Sequence, residues 1–255
     1  MASVAADAEL WLRRYHSCVE GAPRLICFPH AGGSAVYYYQ LSQALAPDIE
    51  VLAVQYPGRH DRRQEPFVED LRGLARWTCD ALAEEPAGRY AFFGHSMGAL
   101  VAYEAALLVR ERGRPMPERL FASARRGPAT VRPAKEYNRA SVLEELRKLG
   151  GTDPRFLDDQ ELLDTILPPA VNDYRAIQAY RWTDRPPLPV PITALVGDAD
   201  PQSTIAEAEA WARHSTEPLD LRVFPGGHFY LDANLPAVTA VLGSALAGSL
   251  EGSRR

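Results

Sequence analysis

The stretch Tyr90-Ala91-Phe92-Phe93-Gly94-His95-Ser96-Met97-Gly98 is an apolar, strand-like run that breaks at one serine bracketed by glycines. A serine projected from a tight strand-to-helix turn takes up an unfavourable backbone angle, and strand and helix approach closely only where neighbours lack side chains. Gly94 and Gly98 supply that room. Downstream, residues 99–110 hold good helix formers and no proline, so the turn opens a helix. Ser96 is therefore the expected nucleophile.

Working outward, short runs rich in β-branched and aromatic residues stand at 25–28, 50–54, 90–93, 120–123, 192–196 and 219–224. Helical patterns alternate with them at 35–46, 67–83, 99–112, 204–214 and 235–249. That rhythm specifies an α/β fold, a mostly parallel sheet with helices on both faces. One interval breaks it. From about 130 to 191 no strand pattern occurs, while 141–149, 159–167 and 170–182 read as amphipathic helices, with Val171, Tyr174 and Ile177 at helical spacing beside polar Asn172, Asp173, Arg175 and Gln178. These helices are expected to form a lid inserted into a single domain. It would lie over the edge where the serine turn opens, and the proline-rich run 185–191 would be a stiff return to the sheet.

Composition sets the outer limits. A chain of 255 residues with 46% hydrophobic and 24% charged side chains matches ordinary globular usage and is long enough for one large core. Its three cysteines, Cys18, Cys27 and Cys79, are widely spaced and lack any Cys-x-x-Cys pair. They argue against a disulfide framework or a metal site and for a reducing, cytoplasmic setting. The first ten residues carry no basic segment followed by an apolar core, and no apolar run approaches the roughly 20 residues of a bilayer crossing, so neither secretion nor membrane insertion is expected. A net charge of −5 gives no reason to expect nucleic-acid binding. Local basic clusters at Arg59–Arg63 and Arg125–Arg126 read either as a solvated loop rim or as a dock for an acidic partner.

A serine hydroxyl is a poor nucleophile at neutral pH and needs a base, which in turn needs an orienting acid. Of the six histidines, His228 is the expected base, because Phe224-Pro225-Gly226-Gly227-His228-Phe229 follows the last strand with two glycines that let an imidazole swing to the carboxyl edge. His95 adjoins the serine but points away from it on so sharp a turn, and His16, His60 and His214 lie in segments that read as exposed. The acid belongs between serine and histidine in chain order. Val196-Gly197-Asp198-Ala199-Asp200-Pro201 offers two carboxylates, and Asp200 is preferred over Asp198 for its reach, with helix capping as the alternative use of both. Two backbone amides are expected to receive the oxyanion: that of Met97, after the nucleophile, and that of Ala31 in Phe28-Pro29-His30-Ala31-Gly32-Gly33-Ser34, where the glycines permit close approach.

Taken together, these residues resemble the type II thioesterases that accompany polyketide synthases and nonribosomal peptide synthetases, which are α/β-hydrolases. The resemblance spans nearly the whole chain. Its more particular carriers are Pro29-His30-Ala31-Gly32-Gly33, Tyr56-Pro57-Gly58-Arg59 and the pair Arg125-Arg126. One departure is Ala124-Arg125-Arg126-Gly127, where the family pattern has glycine before the arginines and alanine after them. The resemblance implies hydrolysis of acyl groups from the phosphopantetheine thiol of acyl or peptidyl carrier proteins, clearing stalled or wrongly primed chains, by a monomer without metal or other cofactor. Competing readings are an esterase of free small esters, a non-catalytic carrier-binding module and an excised cyclising domain.

Overall fold

The computed structural model describes residues 8–133, 135–151 and 154–247. Seven strands, β1 (Leu12–Arg13), β2 (Arg24–Phe28), β3 (Glu50–Val54), β4 (Tyr90–His95), β5 (Leu120–Ser123), β6 (Ile192–Gly197) and β7 (Asp220–Phe224), form one sheet in the order β1-β3-β2-β4-β5-β6-β7. Every neighbouring pair is parallel except β1 with β3. The six runs read as strands are all present. β1 is additional, and at two residues it is too short to leave an alternation in the sequence.

The helices are α1 (Ala8–Trp11), α2 (Tyr39–Leu45), α3 (Leu71–Leu82), α4 (Met97–Glu111), α5 (Arg139–Leu149), α6 (Pro154–Leu157), α7 (Gln160–Ala179), α8 (Ile205–Glu209), α9 (Tyr230–Ala233) and α10 (Leu235–Ala247). Alternate residues of each inner strand serve opposite faces, as the pleat requires. Ile26, Phe28 and Phe92 pack with α3 and α4, whereas Leu25, Cys27, Ala91 and Phe93 pack with α2 and α10. Strands buried on both faces read as continuous apolar runs, which is why they were legible.

Between β5 and β6 lie α5, α6 and α7, so the strandless interval is a helical insertion. One detail differs from expectation: 159–167 and 170–182 are not two helices but the single helix α7, which runs through Pro168 and Pro169. Each proline removes an intrahelical donor and costs about 3 kcal/mol in a helix interior. Leu163, Leu167, Ala170 and Tyr174 recur on one face across the prolines and are buried in the same apolar cluster as α3 and α4. Burying a large apolar side chain yields about 1.5–3 kcal/mol, so this stripe offsets the break. Caps define the helix starts: Asp159 accepts from the N–H groups of Glu161 and Leu162, and Asn138 and Ser141 form a capping box on α5.

Among the described glycines, the tightest approach of backbone to backbone is at the serine turn. A Cβ on Gly98 would sit 1.9 Å from the Phe28 carbonyl oxygen of β2, and one on Gly94 would sit 2.2 Å from the Gly98 carbonyl oxygen. Both obstacles are backbone and cannot step aside. Gly98→Ala is therefore expected to cost several kcal/mol in urea unfolding, or to prevent folding. Gly243→Ala, in α10 where an added Cβ meets nothing within 4 Å, should instead gain about 0.5–1 kcal/mol.

Candidate active site

Ser96 sits between β4 and α4 with φ 55° and ψ −114°, a strained backbone for a residue with a side chain. Its amide donates to the Ser123 carbonyl of β5 at 2.8 Å. That geometry lifts Oγ out of the sheet's carboxyl edge, half-buried, to meet His228 Nε2 at 2.9 Å. His228 Nδ1 lies 3.0 and 2.9 Å from the two oxygens of Asp200. An ionised carboxylate can only accept, so Nδ1 carries the proton and donates to Asp200, leaving Nε2 to accept from Ser96. The three side chains predicted from sequence thus converge, with those of His228 and Asp200 almost fully buried.

Two loops carry this arrangement. The Gln202 amide donates to Asp200 Oδ1 at 2.8 Å. Asp198 is turned elsewhere and accepts the Gly226 amide at 2.9 Å, tying the acid loop to the histidine loop. A Cβ on Gly197 would fall 2.4 Å from the carbonyl oxygens of both Gly226 and Gly227, so the loops touch through backbone. The helix-capping use of the aspartates is not realised, since Thr204 caps α8.

The two amides expected at the oxyanion position come from the start of α4 and from the turn after β2. Met97 is the first residue of α4, where a helix leaves its N–H groups without intrahelical partners. Ala31 lies in a turn after β2 closed by the Gly33 amide on the His30 carbonyl at 3.0 Å. Gly32 in that turn has φ +74°, a conformation that favours glycine, and its amide donates to Asp173 Oδ2 at 2.8 Å.

Other histidines divide differently from expectation. His95 packs beside the turn as anticipated: its Nδ1 meets Ser123 Oγ at 2.9 Å, and that hydroxyl meets the Tyr230 hydroxyl at 2.6 Å. Ser123 and His95 are fully buried and no carboxylate orients this pair, so it is a packing unit rather than a second nucleophile. Burial, with the neighbouring His228 and His30, holds His95 well below the usual imidazole range. Burial also lowers His30 to about 4. His214, read as exposed, is in fact 2% exposed among Tyr103, Trp182 and Trp211, and burial brings it down to about 4. His16 is half-buried against Ser42, and His60 alone of the three is exposed.

The basic clusters also differ. Arg59 and Arg62 are buried in ion pairs with Asp173 and Glu65, so neither forms a solvated rim or a dock. Arg125 and Arg126 are half-buried, and burial followed by their mutual repulsion pushes Arg125 down to about 9. At the departure from the family pattern, Ala124 has φ 51°, which explains the preference for glycine there. The left-handed backbone costs about 1–2 kcal/mol, and burial of the methyl offsets roughly 0.8 kcal/mol of it.

One residue of the site escaped the sequence reading. Asp173 was placed on the polar face of its helix, yet it is fully buried and paired with Arg59 at 2.5 Å. Its register supplied a signal: it follows buried Leu163, Leu167 and Ala170 on the inward side of α7. The insertion also touches the acid loop, where the Gln202 side chain donates to buried Glu145 of α5. Cavities of about 570 and 560 Å³ flank Arg175 on α7, and one of about 400 Å³ lies at the amino edge of the sheet; none of the three is lined by Ser96 or His228. Among the described residues no group of His, Cys, Asp and Glu is arranged to hold a metal, and no helix is long and apolar enough to cross a membrane.

A strained serine between a parallel strand and a helix, faced by an acid from the end of β6 and a histidine from the end of β7, defines an α/β-hydrolase. The thioesterase domain family matches residues 23–246, and the chain belongs to it. Thioesterase PikA5 of Streptomyces venezuelae is 45% identical over 231 residues, 89% of this chain and 82% of that protein. A probable cadicidin biosynthesis thioesterase of Streptomyces griseus is 44% identical over 94% of this chain and 66% of its own. Among solved structures, the type II thioesterase BorB of the borrelidin biosynthetic cluster superimposes with a TM-score of 0.86 at 42% identity, covering 93% of this chain and 98% of its own. The protein is a thioester hydrolase of the type II thioesterase group.

The lowered histidines make stability depend on pH. His30 and His214 protonate near 6.5 when unfolded but near 4 when folded. The unfolded chain therefore binds protons first, and stability held above pH 6.5 is lost as the pH falls towards 4. Urea unfolding between these limits should show a slope of about 1.4 kcal/mol per pH unit for each proton taken up. His214→Phe should make that slope shallower.

Proposed function

We propose that this enzyme hydrolyses acyl groups from the phosphopantetheine thiol of acyl or peptidyl carrier proteins, removing stalled or wrongly primed chains from a polyketide or nonribosomal peptide synthase. Ser96 is the nucleophile, His228 the general base and Asp200 the acid that fixes its tautomer. The observation that carries this reading is the continuous hydrogen-bonded path from Ser96 Oγ through His228 to Asp200, with contacts of 2.9 to 3.0 Å. The pathway comes from the likeness to PikA5 and BorB.

In this reading Ser96 Oγ attacks the thioester carbonyl while its proton passes to His228 Nε2. The negative charge on the carbonyl oxygen is received by the amides of Ala31 and Met97, the second backed by the positive end of α4. Collapse of the intermediate breaks the carbon–sulfur bond, and the proton on His228 goes to the departing thiolate. Water then attacks the acyl-serine, giving its proton to His228. Collapse returns that proton to Ser96 Oγ and releases the carboxylic acid. Every proton is accounted for by one imidazole, and no metal or redox group takes part.

The chain works as a single α/β-hydrolase domain whose insertion at about 130–191 is a lid. Movement of the lid admits the pantetheine arm, and its return shapes the chamber in which the acyl-serine meets its attacking water. In this reading the enzyme is a monomer working in the cytoplasm beside its synthase, a reducing setting with which the free thiols Cys18, Cys27 and Cys79 accord.

A panel of carrier proteins loaded with short, branched and long acyl groups, followed by mass measurement, tests the reading. Loss of the acyl mass as free acid is expected, and Ser96→Ala should slow it by about 10⁵–10⁶-fold. Asp200→Asn, which permits the wrong tautomer, should lower kcat by about 10⁴-fold. A faster rate on oxygen esters of equal chain length, or release of a ring instead of an acid, would overturn the assignment.

A further inference from the structure

Asp173 stands on the inserted helix α7, away from the reacting atoms, and its carboxylate is fully withdrawn from water. A buried carboxylate persists only when its charge and lone pairs are matched. Here Oδ2 accepts from Gly32 N–H at 2.8 Å and from Arg59 Nη1 at 2.5 Å, and Oδ1 accepts from Arg59 Nη2 at 3.1 Å and from Asn172 Nδ2 at 3.2 Å. Arg59 in turn donates to the Gly33 carbonyl at 3.4 Å. Its own carbonyl accepts from Gln55, whose Oε1 receives the Ala35 amide at 2.9 Å. One ion pair therefore holds the turn after β2 at Gly32 and Gly33.

Peptide planarity carries this hold to the oxyanion position. The N–H of Ala31 and the carbonyl of His30 belong to one trans peptide and point in opposite directions. That carbonyl is fixed by the Gly33 amide at 3.0 Å, and the next carbonyl, of Ala31, meets His30 Nδ1 at 3.0 Å. The direction of the Ala31 N–H is therefore set by a turn whose two glycines are clasped from the insertion. A side chain at Gly32 would be strained by its φ of +74° and crowded against α7, its Cβ lying 3.0 Å from the Ala170 Cβ.

We propose that Asp173, neutralised by Arg59, is a positioning residue that makes the oxyanion hole conditional on the seating of α7. With α7 down, Gly32 is held and the Ala31 amide is aimed. With α7 lifted, Gly32 N–H loses its acceptor and Arg59 its counter-charge, and the turn relaxes. Admission of substrate with α7 lifted and completion of the hole with α7 down become two stages of one movement, so a substrate held in the open enzyme does not yet face a complete oxyanion hole. Neutralisation matters as well, because an unpaired carboxylate beside the turn would oppose the developing oxyanion. The proposal rests on Ala31 being an oxyanion donor.

The test compares Asp173→Ala and the isosteric Asp173→Asn with wild type. Three quantities are read on an acyl N-acetylcysteamine thioester: kcat, KM and the Ki of an alkyl boronic acid that forms a tetrahedral adduct on the nucleophile. Losing a whole oxyanion donor costs about 10²–10³-fold. A donor that is misaimed rather than absent should cost about 30–100-fold in kcat for Asp173→Ala and about tenfold for Asp173→Asn, with KM within about threefold. The boronate Ki should rise by the same factors, while the pH dependence of kcat/KM, which reports His228, stays where it was. Wild-type kcat and Ki in the folded variants, or a fall in rate with the boronate Ki unchanged, would overturn the proposal. Should the alanine variant not fold, the asparagine variant decides. Failure of the underlying reading is separately visible: boronate that binds Ser96→Ala as tightly as wild type would remove Ser96 as nucleophile, whatever Asp173 does.

Discussion

The rest of the structure depends on a backbone contact at one point, where the start of α4 runs against the end of β2 with no atoms to spare. Gly98 lies on the Phe28 carbonyl and Gly94 on the Gly98 carbonyl, which is the only way Ser96 can keep its φ of 55°. Strain of that kind persists only when its surroundings over-determine it. Here they do: β4 is flanked by β2 and β5, both faces of the sheet are covered, and the Ser96 amide is tied to β5. Once Oγ is placed, the ends of β2, β6 and β7 need only bring a turn, an acid and a histidine to the same edge.

Charge around that edge is managed by burial and pairing. The histidines nearest His228, His30 and His95, are kept neutral at physiological pH by desolvation, so neither adds a cation beside the His228–Asp200 pair. Their rings form an aromatic packing with Tyr37 and Phe229 that fixes the His228 ring from behind. The Arg59–Asp173 pair, in turn, presents no net charge to the turn after β2. The insertion is thus part of the catalytic half of the molecule. It shares the apolar cluster of α3 and α4, touches the acid loop through Glu145 and holds the turn after β2 through Asp173.

Legibility followed burial and periodicity. Five strands, β2 to β6, stood out because each is buried on both faces and so reads as a nearly unbroken apolar run, whereas β7, half-exposed, was legible from its alternating Leu221 and Val223 and from Phe224. β1 escaped because two residues have no period. Pro168 and Pro169 pointed to a helix boundary, and local chemistry alone supports that; what carries α7 past them is a buried stripe whose partners lie on α3 and α4. Arg59, Arg62, Asp173 and His214 were assigned to the surface because charge and polarity usually mean exposure. Their burial follows from partners 52 to 114 positions away, and no local pattern records such a partner.

By itself, the amino-acid sequence specified the α/β class and the helical insertion and singled out Ser96, Asp200 and His228, which the structure brings within hydrogen-bond reach of one another, because each depends on a short-range rule. Those rules are apolar periodicity, glycine where side chains cannot fit, and the chain order of residue types at successive strand ends. Only the tertiary structure decided that α7 is one helix, that Asp173 faces inward, and that the turn bearing Ala31 is held by a side chain of the insertion. These depend on which distant groups meet in a water-free interior, where an unmatched charge is too costly to keep and the whole fold must therefore bring its partner to it.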